Sequence, residues 1–244
     1  MKKLSILVSV LLAALVYQSS VFAAFTLRSS DITPNTVLPT KFAYAKPSSR
    51  GIARESRNIS PPLQWGGVPR GTKSFVLLVS DRDVPLDKRY NLENHTIRTN
   101  VKRKTGYLWV LANIPGHLRA LPRKAGSISY SRRSNRAVTK YGLNGLNMYT
   151  AIFRSPMGQR VAFSKRQLDR PQIGYDGPFP PWNDMKAHRI RFTLYALNIP
   201  HLNLPENGMF TAHDVIRKMR RHVLGRASFQ VKYTTRNHAV RTHH

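Results

Sequence analysis

The chain has 244 residues, no cysteine, and 40 Lys and Arg against 11 Asp and Glu, a formal charge of +29. That length suffices for one good core and demands no second domain. The missing thiols exclude a disulfide framework, thiol catalysis, cysteine-ligated zinc and a thioether lipid anchor.

Lys2 and Lys3 precede an apolar run from Leu4 to about Tyr17, and Val21-Phe22-Ala23 follows. A basic start, a short apolar stretch and small residues at a cleavage point describe an export signal, residues 1–23, cut after Ala23. The run is too short to span a bilayer comfortably; the alternative is a retained anchor or a buried first helix. Export without cysteine implies a soluble periplasmic or secreted protein that is not lipid-anchored. Residues 24–236 are expected to form a single domain and 237–244 a flexible tail, whose His238, His243 and His244 are read as solvated and not as a metal site.

From Phe25 the mature chain opens with a strand and continues from Thr33 to Arg57 as loop with short strands. The prolines of Asn58-Ile59-Ser60-Pro61-Pro62-Leu63-Gln64-Trp65 hold an extended approach, and the glycines and proline of 66–72 make a turn. Ser74-Phe75-Val76-Leu77-Leu78-Val79-Ser80 is nearly continuous apolar, which predicts a strand buried on both faces. It ends on Asp81-Arg82-Asp83-Val84-Pro85, and extension is expected to send the two acids to opposite sides. One would face a pocket and the other hold the turn through backbone hydrogen bonds; a plain Asp-rich strand exit is the simpler alternative. Leu86 to Lys104 reads as a long exposed excursion, Tyr107 to Pro115 as a second core strand, and His117 to about Asn147 as another long basic loop containing Arg132, Arg133 and Arg136.

Gly174-Tyr175-Asp176-Gly177-Pro178-Phe179-Pro180-Pro181-Trp182-Asn183-Asp184 is a stiff turn, because its glycines permit backbone conformations that side chains forbid and its prolines fix φ. It delivers His188 to the mouth of a strand on which Ile190, Phe192, Leu194 and Ala196 alternate on one face. A structural turn with a satisfied histidine is one reading, a binding loop the other. Thr211 and Asp214 form a capping-box-like pair, and Val215, Ile216, Met219 and Val223 recur at helical spacing up to a stop at Gly225. Arg217, Lys218, Arg220 and Arg221 line the outer side of this helix, as an anion-binding face or a solvated one. Ala227 to Tyr233 alternates as a last strand.

The charge attracts polyanions of any kind, with salt-sensitive affinity, or is a solvated basic exterior. Specific nucleic-acid recognition is not expected, since no helix-turn-helix, zinc-finger or RNA-binding signature appears and aromatics are sparse in the basic loops. Enzymatic function is not expected either. Asp81 or Asp83 with His188 makes an acid-base pair on paper, but the chain has no Gly-x-Ser-x-Gly elbow, no His-Glu-x-x-His helix and no P-loop. No metal and no cofactor is implied.

Taken in order, these stretches resemble the phosphatidylethanolamine-binding protein family in its bacterial exported, Raf-kinase-inhibitor-like branch. The resemblance is carried by Ser60-Pro61-Pro62-Leu63-Gln64-Trp65, Asp81 to Pro85, Tyr107 to Pro115, Tyr141-Gly142-Leu143-Asn144, Gly174 to Asp184, His188-Arg189 and Phe192 to Leu197, and covers roughly Phe25 to Thr235. It implies a mostly β fold in which antiparallel sheets pack face to face with peripheral helices, one of them near the C-terminus. It also implies a small pocket for phosphate or a phospholipid headgroup. Asp81, Asp83 and Pro85 correspond to its acidic wall, Gly177, Pro180 and Pro181 to its turn, and His188 to its histidine. In that picture His188 donates to a phosphate oxygen, an Asp orients the ring, and backbone N–H groups of the turn complete the cradle.

The sequence departs from the family pattern. Leu108 stands where a histidine usually precedes the Trp, and Ile190 where His-Arg is usually followed by Tyr. Phe179 stands where bacterial relatives usually have cysteine, and Arg82 where proline is usual. Two lost donors, each worth about 1 to 3 kcal/mol toward an anion, predict a degenerate pocket or one retuned to a less charged ligand. An anionic lipid or polysaccharide surface met by the basic exterior is the alternative partner, and inhibition of a partner protein stays open.

Overall fold

A computed structural model describes residues 23–48, 53–87, 95–126, 137–154, 165 and 170–236. Residues 1–22, which hold nearly all of the expected export signal, lie outside the described residues, as do 237–244 with the expected tail and 127–136 with the three basic-loop arginines.

The strands are β1 (Thr26–Arg28), β2 (Ala45–Lys46), β3 (Arg54–Glu55), β4 (Leu63–Gly66), β5 (Ser74–Pro85), β6 (Arg103–Pro115), β7 (Ala120–Leu121), β8 (Val138–Thr139), β9 (Gly142–Asn144), β10 (His188–Leu197) and β11 (Val223–Tyr233). Among the described residues, the helices α1 (Tyr149–Phe153) and α2 (Ala212–Met219) accompany them. The main sheet has the order β11-β10-β5-β6-β9-β8 with antiparallel pairing throughout, and a smaller sheet has the order β1-β4-β7. Antiparallel sheets with few helices are what the sequence pattern predicts.

The continuous apolar run of β5 follows from its central place. Phe75, Leu77 and Val79 face a core shared with Leu27, Leu63 and Trp65 of the small sheet. Val76 and Leu78 face the opposite way, toward Leu202, Leu204, Phe210 and Val215, so α2 and its approach cover that face. A strand covered on both sides has no polar face to show. Each fully buried side chain of this size contributes about 1.5 to 3 kcal/mol.

The capping box forms at α2: the Thr211 hydroxyl accepts from Asp214 N–H, and Asp214 accepts from Thr211 N–H at 2.9 Å. The expected run of this helix to Gly225 is corrected. α2 ends at Met219, His222 N–H closes a turn on the Met219 carbonyl at 2.8 Å, and Val223 and Gly225 already pair with Leu197 and Ala196 of β10. A ladder partner outweighs the helical spacing of Val223, which is exposed and gains nothing from a helix. The excursion from Leu86 to Lys104 is corrected too. Ile97 is fully buried and bridges to Asp184, and β6 starts at Arg103, because the β5–β6 ladder continues to Pro85 paired with Arg103. Helix α1 had no sequence signal, being too short for periodicity to register.

Candidate functional site

The sheet brings together the C-terminal end of β5, the start of β6 and the start of β10. Ile190 pairs with Asp81, and Asp81 with Gly106. Simple alternation would put residues 81 and 83 on one face, contrary to the expectation that extension separates them. A bulge does it: between Asp81 and Val84 the β5 ladder takes one residue more than β6, which runs from Gly106 to Lys104. Asp81 therefore meets His188, while Asp83 meets Arg189.

His188 is 1% exposed. Its Nδ1 lies 2.7 Å from Asp81 Oδ2 and its Nε2 lies 3.0 Å from Asp184 Oδ2. Burial opposes a charge on the ring, but the charge of Asp81 and the hydrogen bonds to Asp184 and Asp81 outweigh it and push the pKa up to about 9. The imidazolium donates with both N–H groups, so at neutral pH it has neither a lone pair to act as a base nor a free proton for a ligand.

Arg103 reaches the same carboxylate. Its guanidinium donates to Asp184 Oδ2 at 2.7 Å and to Asp184 Oδ1 at 2.9 Å, and also to the Asp83 carbonyl at 2.7 Å. Burial pushes the Asp184 carboxyl up, yet the bonds from His188 and Arg103 hold it below the usual carboxylate range. Asp184 thus sits where two cations converge. Asp83 accepts from Arg189 backbone N–H and Nε, each at 2.8 Å, and lies 2.8 Å from Lys186 Nζ. Burial works against its charge, but these donors hold it far below the ordinary carboxylate range.

The turn is satisfied from within. Gly177 N–H donates to Asn58 Oδ1 at 2.8 Å, and its carbonyl accepts from the Tyr149 hydroxyl at 2.9 Å. A Cβ on Gly177 would stand 2.1 Å from the Phe42 carbonyl oxygen, so only glycine allows this approach. The Pro180 carbonyl accepts from the Thr235 hydroxyl at 2.6 Å and the Pro181 carbonyl from Asp184 N–H at 3.0 Å. Asp176 N–H donates to the Leu108 carbonyl at 3.0 Å, tying the turn to β6. Leu108 and Ile190 are fully buried in the main core, and Phe179 stacks on Tyr44 with ring centroids 5.8 Å apart. Pro85 is buried beside Val84 and belongs to the wall of a neighbouring cleft.

Asp176, Asp184 and Arg103 were not singled out from the sequence. Asp176 accepts from Asn58 Nδ2 at 2.6 Å and Asn147 Nδ2 at 2.7 Å, and burial, opposed by these two amides, pushes its pKa up to about 7. One signal was available. Asp81, Asp83, Asp176 and Asp184 are four of only 11 acidic residues and are the buried ones among the described residues.

Comparison with known proteins gives a consistent picture. The sequence model of the phosphatidylethanolamine-binding protein (PEBP) family matches residues 28–234. UPF0098 protein YbhB of Escherichia coli K12 is 29% identical over 180 residues, covering 74% of this chain and 82% of that protein. UPF0098 protein YbcL of the same organism is 27% identical over 203 residues, covering 83% and 84%. The crystal structure of E. coli YbcL, described as a new member of the mammalian PEBP family, superposes with a TM-score of 0.59 at 24% identity, covering 87% of this chain and 99% of its own. The PEBP homologue CT736 of Chlamydia trachomatis superposes with a TM-score of 0.56 at 23% identity, covering 86% and 97%. With a family match spanning most of its length, the chain belongs to the phosphatidylethanolamine-binding protein family.

Proposed function

We propose that the protein is an exported, non-catalytic binding protein that meets anionic lipid or polysaccharide surfaces through its cationic exterior, while the family's anion pocket is filled from within by Asp184. The observation that carries this reading is the double clamp on His188: both ring nitrogens are engaged by carboxylates 2.7 and 3.0 Å away. An incoming phosphate would have to displace a carboxylate that also holds Arg103 bidentately. The exterior supports the other half. Arg217 and Lys218 on α2 and Arg220 and Arg221 in the turn that follows it are all exposed, in a chain of charge +29. Such a face attracts anions with an affinity that falls as salt screens it.

The test pairs two measurements. Phosphatidylglycerol vesicles should sediment the protein at low salt and release it at high salt, and Arg220→Glu/Arg221→Glu should weaken sedimentation. Millimolar glycerophosphoethanolamine should leave the His188 ring resonances unmoved in the wild type. Asp184→Gly, which removes the internal carboxylate, should make the same resonances respond to inorganic phosphate. Salt-resistant sedimentation would overturn the surface half, and a saturable His188 response in the wild type would overturn the filled pocket.

A further inference from the structure

A cleft of about 640 Å³ opens beside the site between the β5–β6 end, α1 and the start of α2. Of the family-site residues, only Pro85 lines it; Asp81, Asp83, Gly177, Pro180, Pro181 and His188 do not. Its surface is mainly apolar, with Val84, Leu146, Met148 and Ile152 on the wall. Gly106 is what lets it form as it does. A Cβ there would stand 2.4 Å from Met148 Sδ and 3.1 Å from Val84 Cγ2, so the missing side chain is the seat of Met148.

Among the described residues the rim is charged in one sense only. Lys104 and Arg154 are exposed on it, and neither makes an ion pair among the described residues. Among the described residues no Asp or Glu lines the cleft. At the far end His213 packs edge-on to Tyr107, with ring centroids 5.9 Å apart. His213 also begins the basic groove of Arg217, Lys218, Arg220 and Arg221. A volume of this order suits a ligand of small-molecule size, and an apolar wall under a cationic rim selects its chemistry. An alkyl chain would bury against Met148 and Ile152, each methylene contributing about 0.8 kcal/mol. A headgroup anion would meet Lys104 and Arg154 at the mouth.

We propose that this cleft is a binding site for a single-chain amphiphile with an anionic headgroup, an alkyl phosphate or a fatty carboxylate. It is a site distinct from the self-filled pocket at His188 and independent of the attraction of the basic groove at Arg217, Lys218, Arg220 and Arg221 to vesicles.

The experiment uses the full chain with methyl-labelled methionine and decyl phosphate or decanoate, each below its critical micelle concentration. The Met148 methyl resonance should shift saturably with either amphiphile, while inorganic phosphate leaves it unmoved. Lys104→Glu/Arg154→Glu, both exposed positions, should weaken binding at least tenfold. Ala151→Trp, which puts an indole on the exposed wall of α1, should abolish it. Arg220→Glu/Arg221→Glu should leave the Met148 titration unchanged, which separates this site from surface attraction. The proposal is overturned if the wild-type Met148 resonance shows no saturable shift, if inorganic phosphate reproduces it, or if neither the charge reversal nor the tryptophan changes the titration. Circular dichroism of each variant establishes that a loss is not unfolding.

Discussion

Two buried aspartates on neighbouring walls of the site meet burial in opposite ways. Asp184 is covered by charge: a protonated imidazole and a guanidinium converge on it, and its carboxyl is held below the ordinary range. Asp176 is covered by two neutral amides, and its pKa is pushed up to about 7. Both are almost wholly buried, so burial alone does not decide the protonation state. The difference lies in whether the donors bring positive charge, which offsets desolvation far better than amide dipoles do. The first aspartate makes a permanent ion cluster, the second a group poised near neutrality.

The largest test of this comparison removes the shared cation. His188→Leu leaves Asp81 and Asp184 facing each other without the imidazolium between them, and breaking a buried pair from one side costs about 3 to 5 kcal/mol. Denaturant titration at neutral pH measures it. A loss under about 1 kcal/mol would show that water reaches the carboxylates and that the cluster is not dry. The wild type carries a matching pH signature. The His188 pKa is raised from 6.5 to about 9 on folding, so its contribution is complete below the lower value and is lost as pH rises through the higher. That amounts to roughly 3 kcal/mol across the window, and the His188→Leu variant should lack this fall.

Asp176 gives the next largest effect. Its folded pKa, about 7, lies above the ordinary 3.8, so the folded state holds the proton more tightly. Stability from this group is therefore greatest below the lower value and declines as pH rises toward the upper one. The two amides cannot simply turn over to suit a neutral side chain. Asn58 is oriented by Gly177 N–H and Asn147 by Tyr149 N–H, so both present donors. Asp176→Asn would set one amide donor against another and cost about 1 to 3 kcal/mol while flattening the pH slope between about 4 and 7. Thermal unfolding across that range reads both. An unchanged slope would mean that Asp176 titrates no differently in the folded and unfolded states.

The fold was legible because its signals are local and redundant. The unbroken apolar run of β5 and the alternation of β10 and β11 each reflect faces that the sheet must bury, and the capping box of α2 satisfies N–H groups that the helix start leaves unpaired. Where a long-range ladder decided, the sequence misled: Val223 read as helix and Gly225 as its stop, but β10 supplies a strand with which both pair. The site was legible in outline only. The motifs foretold that one of Asp81 and Asp83 would neighbour His188, but not which, nor that Asp184 would close on the other ring nitrogen. That contact needs Ile97 to bridge to Asp184 and Arg103 to fold back from a stretch with no pattern of its own. Nor does alternation tell of the bulge that parts Asp81 from Asp83.

The smallest effect belongs to the cluster's outer edge, where the comparison predicts redundancy. Asp83 is held by Arg189 through its backbone N–H, Nε and a terminal guanidinium nitrogen, and Lys186 adds a further ion pair at 2.8 Å. The Lys186 side chain is 32% exposed, so solvent screens its charge and it gives up rotamer freedom to stay in place. Lys186→Ala should therefore cost less than about 1 kcal/mol, since Arg189 still satisfies both carboxylate oxygens. A double-mutant cycle with Asp83→Asn isolates the pair. A coupling energy of several kcal/mol would mean that the edge of the cluster is as dry as its centre, and the contrast between a charged interior and a screened exterior would then begin further out, beyond Lys186.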